Sequence, residues 1–439
     1  MKNKIRIRKV LTLIGIVLFV SDVAFAEELI SGYIQETETN NASVSSVDEN
    51  IPSETSSSRV DSLSLSRGLV HRFGIDFRPE YIIPTNPFLE GENYFWKPID
   101  QSLSLHLKYS FQFQPDTYAD RIYGGAYQGI GLAGYTFGDP EELGDPIAIY
   151  LFQGARISRF NRRFSLNYEW NFGISSGWKP YDQIYNSYNI MVGSKINAYI
   201  NANFYLNWMF SKEFDLNTGI TLTHFSNGNT KFPNAGLNNT GLKIGLIYHF
   251  NRKNNCLSKP SYQPPIPQFT RHISYDLVLF GSWRRKGVAF GDKQVPSPNA
   301  YTVLGFNFAP MYNFGYKLRV GMSLDGVYDG SANVYTIDYI SGTPQEFFTP
   351  SLNKQLSLGL SGRTEYVMPY FTVGLGIGAN ILHGGGDLNG CYQVLALKVE
   401  VTRSSFIHVG YCLQDFHSPN FLMLGLGFRF NNKYPTFHR

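Results

Sequence analysis

The stretch "KINAYINANFYLNWMF" (195–210) alternates in polarity. Ile196, Ala198, Ile200, Ala202, Phe204, Leu206 and Trp208 share one parity, and Lys195, Asn197, Asn201, Asn203 and Asn207 share the other. Side chains alternate between faces only on an extended strand, so a period of two excludes a helix here. The same pattern recurs in "SLSLHLKYSFQF" (102–113) and "FSLNYEWNFGISSGW" (164–178). Alternation by itself fits a soluble sandwich as well as a membrane barrel. These runs reach about ten residues or more and end on aromatics, as barrel strands that cross lipid do.

The N-terminal residues favour the barrel. "MKNKIRIRKV" is basic, "LTLIGIVLFV" is apolar, and Ala24–Ala26 offers a small-x-small site, so residues 1–26 read as a signal peptide cleaved after Ala26. The formal charge of +4 arises inside that segment, where Lys2, Lys4, Arg6, Arg8 and Lys9 outnumber Asp22. The remainder is near neutral and gives a nucleic-acid partner no electrostatic footprint. Cys256, Cys391 and Cys412 lack metal-like spacing and read as free thiols. No cofactor or metal is implied. After the signal peptide no apolar run is long enough for a transmembrane helix. With 29 Tyr, 34 Phe and 42 Gly, an exported chain of this kind is expected to be a transmembrane antiparallel β-barrel of the bacterial outer membrane.

Residues 27–70 are polar and aperiodic and read as a disordered leader. Eight strands are expected near 72–83, 102–113, 126–138, 146–160, 164–177, 195–210, 214–226 and 238–250. Short turns at 161–163 and 211–213 face long loops at 84–101, 179–194 and 227–237, the asymmetry of outer-membrane barrels. The turn at 114–125 is longer than that asymmetry predicts. A Pro-rich linker spans 251–270. Eight more strands follow between 271 and 431, with a more charged inner face (Lys317, Arg319, Asp325, Arg363, Glu365, Lys398, Glu400). Residues 432–439 form a tail. The halves look like copies, each ending on an aromatic, Phe250 and Phe430. Two tandem eight-stranded barrels, 71–250 and 271–431, are expected; one sixteen-stranded barrel is the alternative.

One strand end breaks the pattern. On 214–226, Leu216, Ile220 and Leu222 face lipid, while Asp215, Asn217, Thr221 and Thr223 face the lumen. His224 and Ser226 have the lipid-facing parity, where polar groups are unfavourable unless they lie at the interface or work there. Two residues apart on one face, an imidazole is placed to draw the proton from a serine hydroxyl. Asn227 and Gly228, next in the loop, offer amides for an oxyanion. A nucleophile at the outer rim would meet acyl esters of outer-leaflet lipid. A polar girdle at a strand end is the alternative reading. Lys179 and Lys231 are candidate phosphate contacts in outer loops, and solvated lysines otherwise.

"HFSNGNTKFPNAGLN" (224–238) resembles the motif of the outer-membrane lipid A 3-O-deacylase family, His-x-Ser-Asn followed by a Pro-Asn-x-Gly loop. The resemblance covers 72–250, with the motif on the penultimate strand. It implies an eight-stranded barrel that removes the 3-position acyl chain of lipid A in lipopolysaccharide. It implies His224 as general base, Ser226 as nucleophile and Asn227 as an oxyanion contributor. The family's glutamate that orients the histidine corresponds to Asn238, which can orient an imidazole but carries no charge. In the second half, the same alignment puts Asp415 and His417 at the histidine and serine positions, so that half is expected to be non-catalytic. "HGGGDLNG" (383–390) reads as a flexible outer loop. The expected function is a Ser–His esterase acting on lipid A at the outer-leaflet rim. A non-enzymatic barrel or an outer-membrane phospholipase is the alternative, and the oligomeric state stays open.

Overall fold

The computed structural model describes residues 69–115, 117–250, 252, 266–290, 293–297, 299–337, 345–415 and 418–434. The expected signal peptide, nearly all of the leader and most of the linker lie outside these residues, as do Cys256, Phe416 and His417.

Strands β1 (Leu69–Ile82), β2 (Gln101–Phe113), β3 (Tyr127–Thr136), β4 (Gly144–Arg159), β5 (Phe164–Trp178), β6 (Ile196–Met209), β7 (Phe214–Ser226) and β8 (Leu237–His249) form one closed barrel. Each pairs antiparallel with its sequence neighbour, and β8 closes on β1. The second half supplies β9 (His272–Arg284), a hairpin of β10 (Gly287–Phe290) and β11 (Lys293–Pro296), then β12 (Tyr301–Asn313) and β13 (Leu318–Asp329). A second small hairpin, β14 (Tyr335–Thr336) and β15 (Phe347–Phe348), precedes β16 (Leu356–Val367), β17 (Phe371–His383), β18 (Cys391–Glu400), β19 (Ser405–Gln414) and β20 (Ser418–Phe430). Leaving out the two hairpins, these strands also close, β20 onto β9. The chain thus forms two eight-stranded barrels, and the sixteen-stranded alternative is excluded. Full closure leaves no unpaired edge, which a bilayer demands of any sheet.

Apolar groups face outward and polar groups inward. Ile75, Phe77, Ile220, Leu222, Leu242 and Ile244 are exposed, whereas Asp76, Arg78, Asn217 and Thr221 are buried. A soluble fold would invert this arrangement. Around one end of the first barrel, Phe164, Trp208, Phe210, Phe214, Tyr248 and Phe250 follow one another with ring centroids 5.0–6.0 Å apart. Such an aromatic girdle marks a membrane interface. It sits at the end with the short turns, the end that faces the periplasm in outer-membrane barrels.

The first lumen is filled in layers. Its outer end holds an aromatic plug that includes Phe137, Trp178, Tyr199 and Phe225. Below it lies a charged layer the alternation did not disclose. Asp76 meets Arg78 at 2.9 Å, Lys108 at 2.8 Å and Lys243 at 3.3 Å, and Lys108 also meets Glu169 at 3.0 Å. The first interior is therefore as charged as the second, where Asp276 holds Arg319, Lys398 and Arg429. Charges in a closed lumen must pair with one another, because neither lipid nor bulk water solvates them.

The long turn between β2 and β3 has a physical reason. It contains a helical turn, Tyr118–Tyr123, capped by Thr117 and ended at Gly124 with φ 68°. Its Ile122 and Tyr123 are buried with Ala126 and Ala155, and Tyr168 and Tyr316 pack alongside. Tyr316 belongs to the second barrel. Tyr168 and Trp170, of lipid-facing parity on β5, also meet that barrel: the Tyr168 hydroxyl donates to Met368 Sδ at 3.0 Å, and Trp170 packs edge-on against Phe371 at 5.2 Å.

Candidate active site

Phe225 sets the geometry of the strand end. Its ring is 1% exposed and lies in the lumen, 5.0 Å from Trp178, 5.1 Å from Tyr135 and 5.5 Å from Tyr199. With Phe225 anchored inward, the pleat turns His224 and Ser226 outward, and both are half-buried there. The register of β7 places His224 opposite Ile200 on β6 and Asn238 on β8, and Ser226 opposite Ala198.

His224 Nδ1 lies 2.7 Å from Asn238 Oδ1. A carbonyl oxygen only accepts, so Nδ1 carries the proton and Nε2 is left with its lone pair. That is the tautomer a general base requires. Neither Nε2 nor the Ser226 hydroxyl bonds any of the described residues, and such a contact often tightens only when substrate binds.

The loop 227–236 is held by its own polar groups. The Asn227 amide N–H donates to Asn234 Oδ1 at 2.9 Å, and Asn227 Nδ2 donates to the Lys231 carbonyl at 2.7 Å. The Thr230 hydroxyl donates to the Asn227 carbonyl at 2.8 Å. The backbone amide of Asn227 is thus committed to the loop, and one N–H of its side-chain amide stays available. Gly228, at φ 61°, keeps its N–H unbonded among the described residues. Across the loop, Ala235 and Gly236 amides donate to the carbonyls of Ile190 and Met191, both at 3.3 Å, which ties it to the loop after β5. Lys179 and Lys231 are both exposed on these outer loops.

Two residues of the Pro-Asn-x-Gly loop make contributions that the sequence pattern did not assign. Asn234 holds the Asn227 amide. Gly236 lies at φ 73°, and a Cβ there would stand 3.1 Å from His224 Cε1 and 3.7 Å from Ser226 Cβ. The Pro-Asn-x-Gly loop therefore seats the turn and leaves room beside the imidazole. The hint in the sequence was the recurrence of Asn and Gly directly after a strand.

The second barrel shows no such pair among its described residues. β19 ends at Gln414, and Asp415 sits in the turn with φ 51°. Its Oδ1 accepts from the Cys391 amide at 3.1 Å. Loop 383–390 is held by Asp387, which accepts from the Asn333 amide at 2.7 Å and pairs with Lys286. Among the described residues, no group of His, Cys, Asp and Glu side chains is arranged to hold a metal ion. Cys391 is exposed, Cys412 is buried, and both are free.

Residues 102–246 match the family model described as lipid A 3-O-deacylase (PagL). Residues 273–432 match the model described as acyloxyacyl hydrolase, C-terminal domain. No curated protein matches the chain. Among solved structures, neisserial surface protein A is similar over 42% of this chain and 100% of its own, at 7% identity and TM-score 0.27. Outer membrane protein Omp33 of Acinetobacter baumannii is similar over 83% and 99%, at 8% identity and TM-score 0.15. A mutant of the TodX monoaromatic hydrocarbon channel is similar over 84% and 90%, at 10% identity and TM-score 0.15. With the two family models matched in succession along the two barrels, the chain belongs to the lipid A 3-O-deacylase family, ester hydrolases of the bacterial outer membrane.

Proposed function

We propose that the first barrel removes the 3-position acyl chain of lipid A by Ser–His catalysis at the outer-leaflet rim. Ser226 Oγ attacks the ester carbonyl while His224 Nε2 takes its proton. The same nitrogen returns the proton to the leaving sugar oxygen, and water then hydrolyses the acyl-enzyme. The Gly228 N–H and the second N–H of Asn227 Nδ2 face the charge that develops on the carbonyl oxygen. Asn238 fixes the tautomer and the ring plane of His224. The second barrel serves as a scaffold.

The observation that carries this reading is the 2.7 Å contact between His224 Nδ1 and Asn238 Oδ1 on the outward face. A polar pair that merely decorated a strand end would need no partner holding one tautomer across to the next strand. Below the site, Ile220, Leu222, Leu242 and Ile244 are exposed and apolar, a surface for acyl chains. Mass spectrometry of lipid A from cells with and without the protein tests the reading. Loss of one 3-linked acyl chain is expected. An unchanged lipid A pattern with cleaved glycerophospholipid would transfer the chemistry to another ester, and no cleavage by folded protein would remove it.

A further inference from the structure

The periplasmic mouth of the first barrel encloses a second feature, far from His224 along the strands. A cavity of about 200 Å³ opens there, lined by Arg72, Arg156, Arg159, Arg162, Arg163 and Arg252. Among the described residues, only two carboxylates line it, Asp120 and Asp215. Asp215 is already engaged by Arg252 at 2.9 Å and His249 at 3.1 Å. The arginines come from β1, the β4–β5 turn and its flanks, and the end of β8, so closure of the barrel is what gathers them.

Arg72 is the sharpest sign of a missing partner. It is 5% exposed and forms no ion pair among the described residues. Its Nη1 donates to Gln112 Oε1 at a long 3.3 Å, its guanidinium lies 4.0 Å from the centre of the Tyr127 ring, and its buried Nε has no hydrogen-bond partner among the described residues. Elsewhere in the two lumens, buried cations meet carboxylates: Arg78 and Lys243 with Asp76, Lys398 and Arg429 with Asp276. A buried guanidinium left outside that rule is costly unless something else supplies the negative charge. On the rim, Arg159 and Arg163 are exposed and likewise form no ion pair among the described residues.

We propose that this mouth binds a phosphate group, with Arg72 at its floor and Arg159 and Arg163 at its rim. Forked guanidinium donors match phosphate oxygens two at a time, and several of them around one cavity suit an anion with more than one charged oxygen better than a lone carboxylate. The group belongs to a soluble phosphate compound of the periplasm or to a phospholipid headgroup of the inner leaflet. The two sources share their recognition chemistry and differ in whether acyl chains add to it.

Titration calorimetry on the full chain in a non-ionic detergent tests this, with inorganic phosphate and dihexanoyl-phosphatidylglycerol as separate probes. Saturable binding of at least one probe is expected, weakening as salt rises. The rim variant Arg159→Gln/Arg163→Gln, whose exposed side chains are not needed for closure, should raise Kd at least tenfold. Arg72→Gln should abolish binding, with heat-modifiability confirming that the barrel is folded. Tighter binding of the phosphatidylglycerol assigns the site to a headgroup, and equal or tighter binding of inorganic phosphate assigns it to a soluble ligand. Absence of saturable binding of both probes to folded wild-type protein, or an unchanged Kd in the rim variant, overturns the proposal.

Discussion

His224 and Asn238 are register partners on β7 and β8, and their side chains meet at 2.7 Å on the outer face of the barrel. Strand pairing itself therefore aligns the imidazole with the amide that holds it, the proposed base with its proposed positioning group. Asn238 supplies an acceptor for Nδ1–H but no negative charge for the imidazolium. Asn238→Ala should lower turnover by up to about a hundredfold, since the ring loses its restraint. Asn238→Glu supplies acceptor and charge together and should hold or raise turnover. Equal rates for all three proteins would detach Asn238 from the chemistry.

Ser226 is the hydroxyl that shares the rim face with His224. Ser226→Ala should abolish ester cleavage, and His224→Ala should remove at least about a thousandfold of the rate, because an unassisted serine is scarcely ionised at neutral pH. Lipid A acyl chains counted by mass spectrometry give the readout, on variants first shown to insert. Wild-type turnover in folded Ser226→Ala would leave the pair as girdle residues.

Gly236 separates backbone strain from crowding of the site. Gly236→Ala forces a residue with a Cβ to φ 73° and places that carbon 3.1 Å from His224 Cε1. Gly138 has a similar φ of 77° with nothing within 4 Å of its would-be Cβ. Both alanine variants carry a left-handed backbone cost of about 1 kcal/mol. Only Gly236→Ala should lose turnover, by about tenfold or more. Equal activities would show that the imidazole tolerates the added methyl.

Period-two alternation disclosed the strands because lipid and lumen demand opposite polarity from neighbouring residues. His224 and Ser226 were legible for the same reason, as polar residues on the lipid-facing parity. The charged layer around Asp76 was not, because Asp76, Arg78, Lys108, Glu169 and Lys243 lie on four strands that meet only when the barrel closes. Asn234 and Gly236 act through one amide and one vacant Cβ, and neither has a periodic signature. The helical turn at Tyr118–Tyr123 was hidden because its apolar side chains pack partly against Tyr316, about two hundred residues away.

Asp76 holds the first lumen together. Asp76→Asn leaves Arg78, Lys108 and Lys243 with Glu169 and, beside Arg78, Glu80 as the buried carboxylates nearby. Removing one member of such a buried network costs roughly 3–5 kcal/mol. Unfolding in urea, followed by loss of heat-modifiability, should begin at clearly lower denaturant than in wild type. A midpoint that does not move would mean that water or backbone already solvates these cations.

The second barrel touches the loop that follows β7. The Arg285 amide donates to the Asn229 carbonyl at 3.1 Å, Asn229 Nδ2 donates to the Asn420 carbonyl at 3.4 Å, and a Cβ on Gly228 would lie 2.7 Å from Leu422 Cγ. Gly228 and Asn229 lie two and three residues beyond Ser226, so these contacts bear on the proposed oxyanion donors. The first barrel is closed by its own hydrogen bonds, so residues 69–250 expressed alone should insert and be heat-modifiable. Without Arg285, Asn420 and Leu422 the loop has more conformations to sample, and productive alignment becomes rarer. Turnover on lipid A should fall by about tenfold or more while the fold persists. Full activity in the folded fragment would leave the second barrel without a part in catalysis, and aggregation of the fragment would show that the first barrel needs the second to fold.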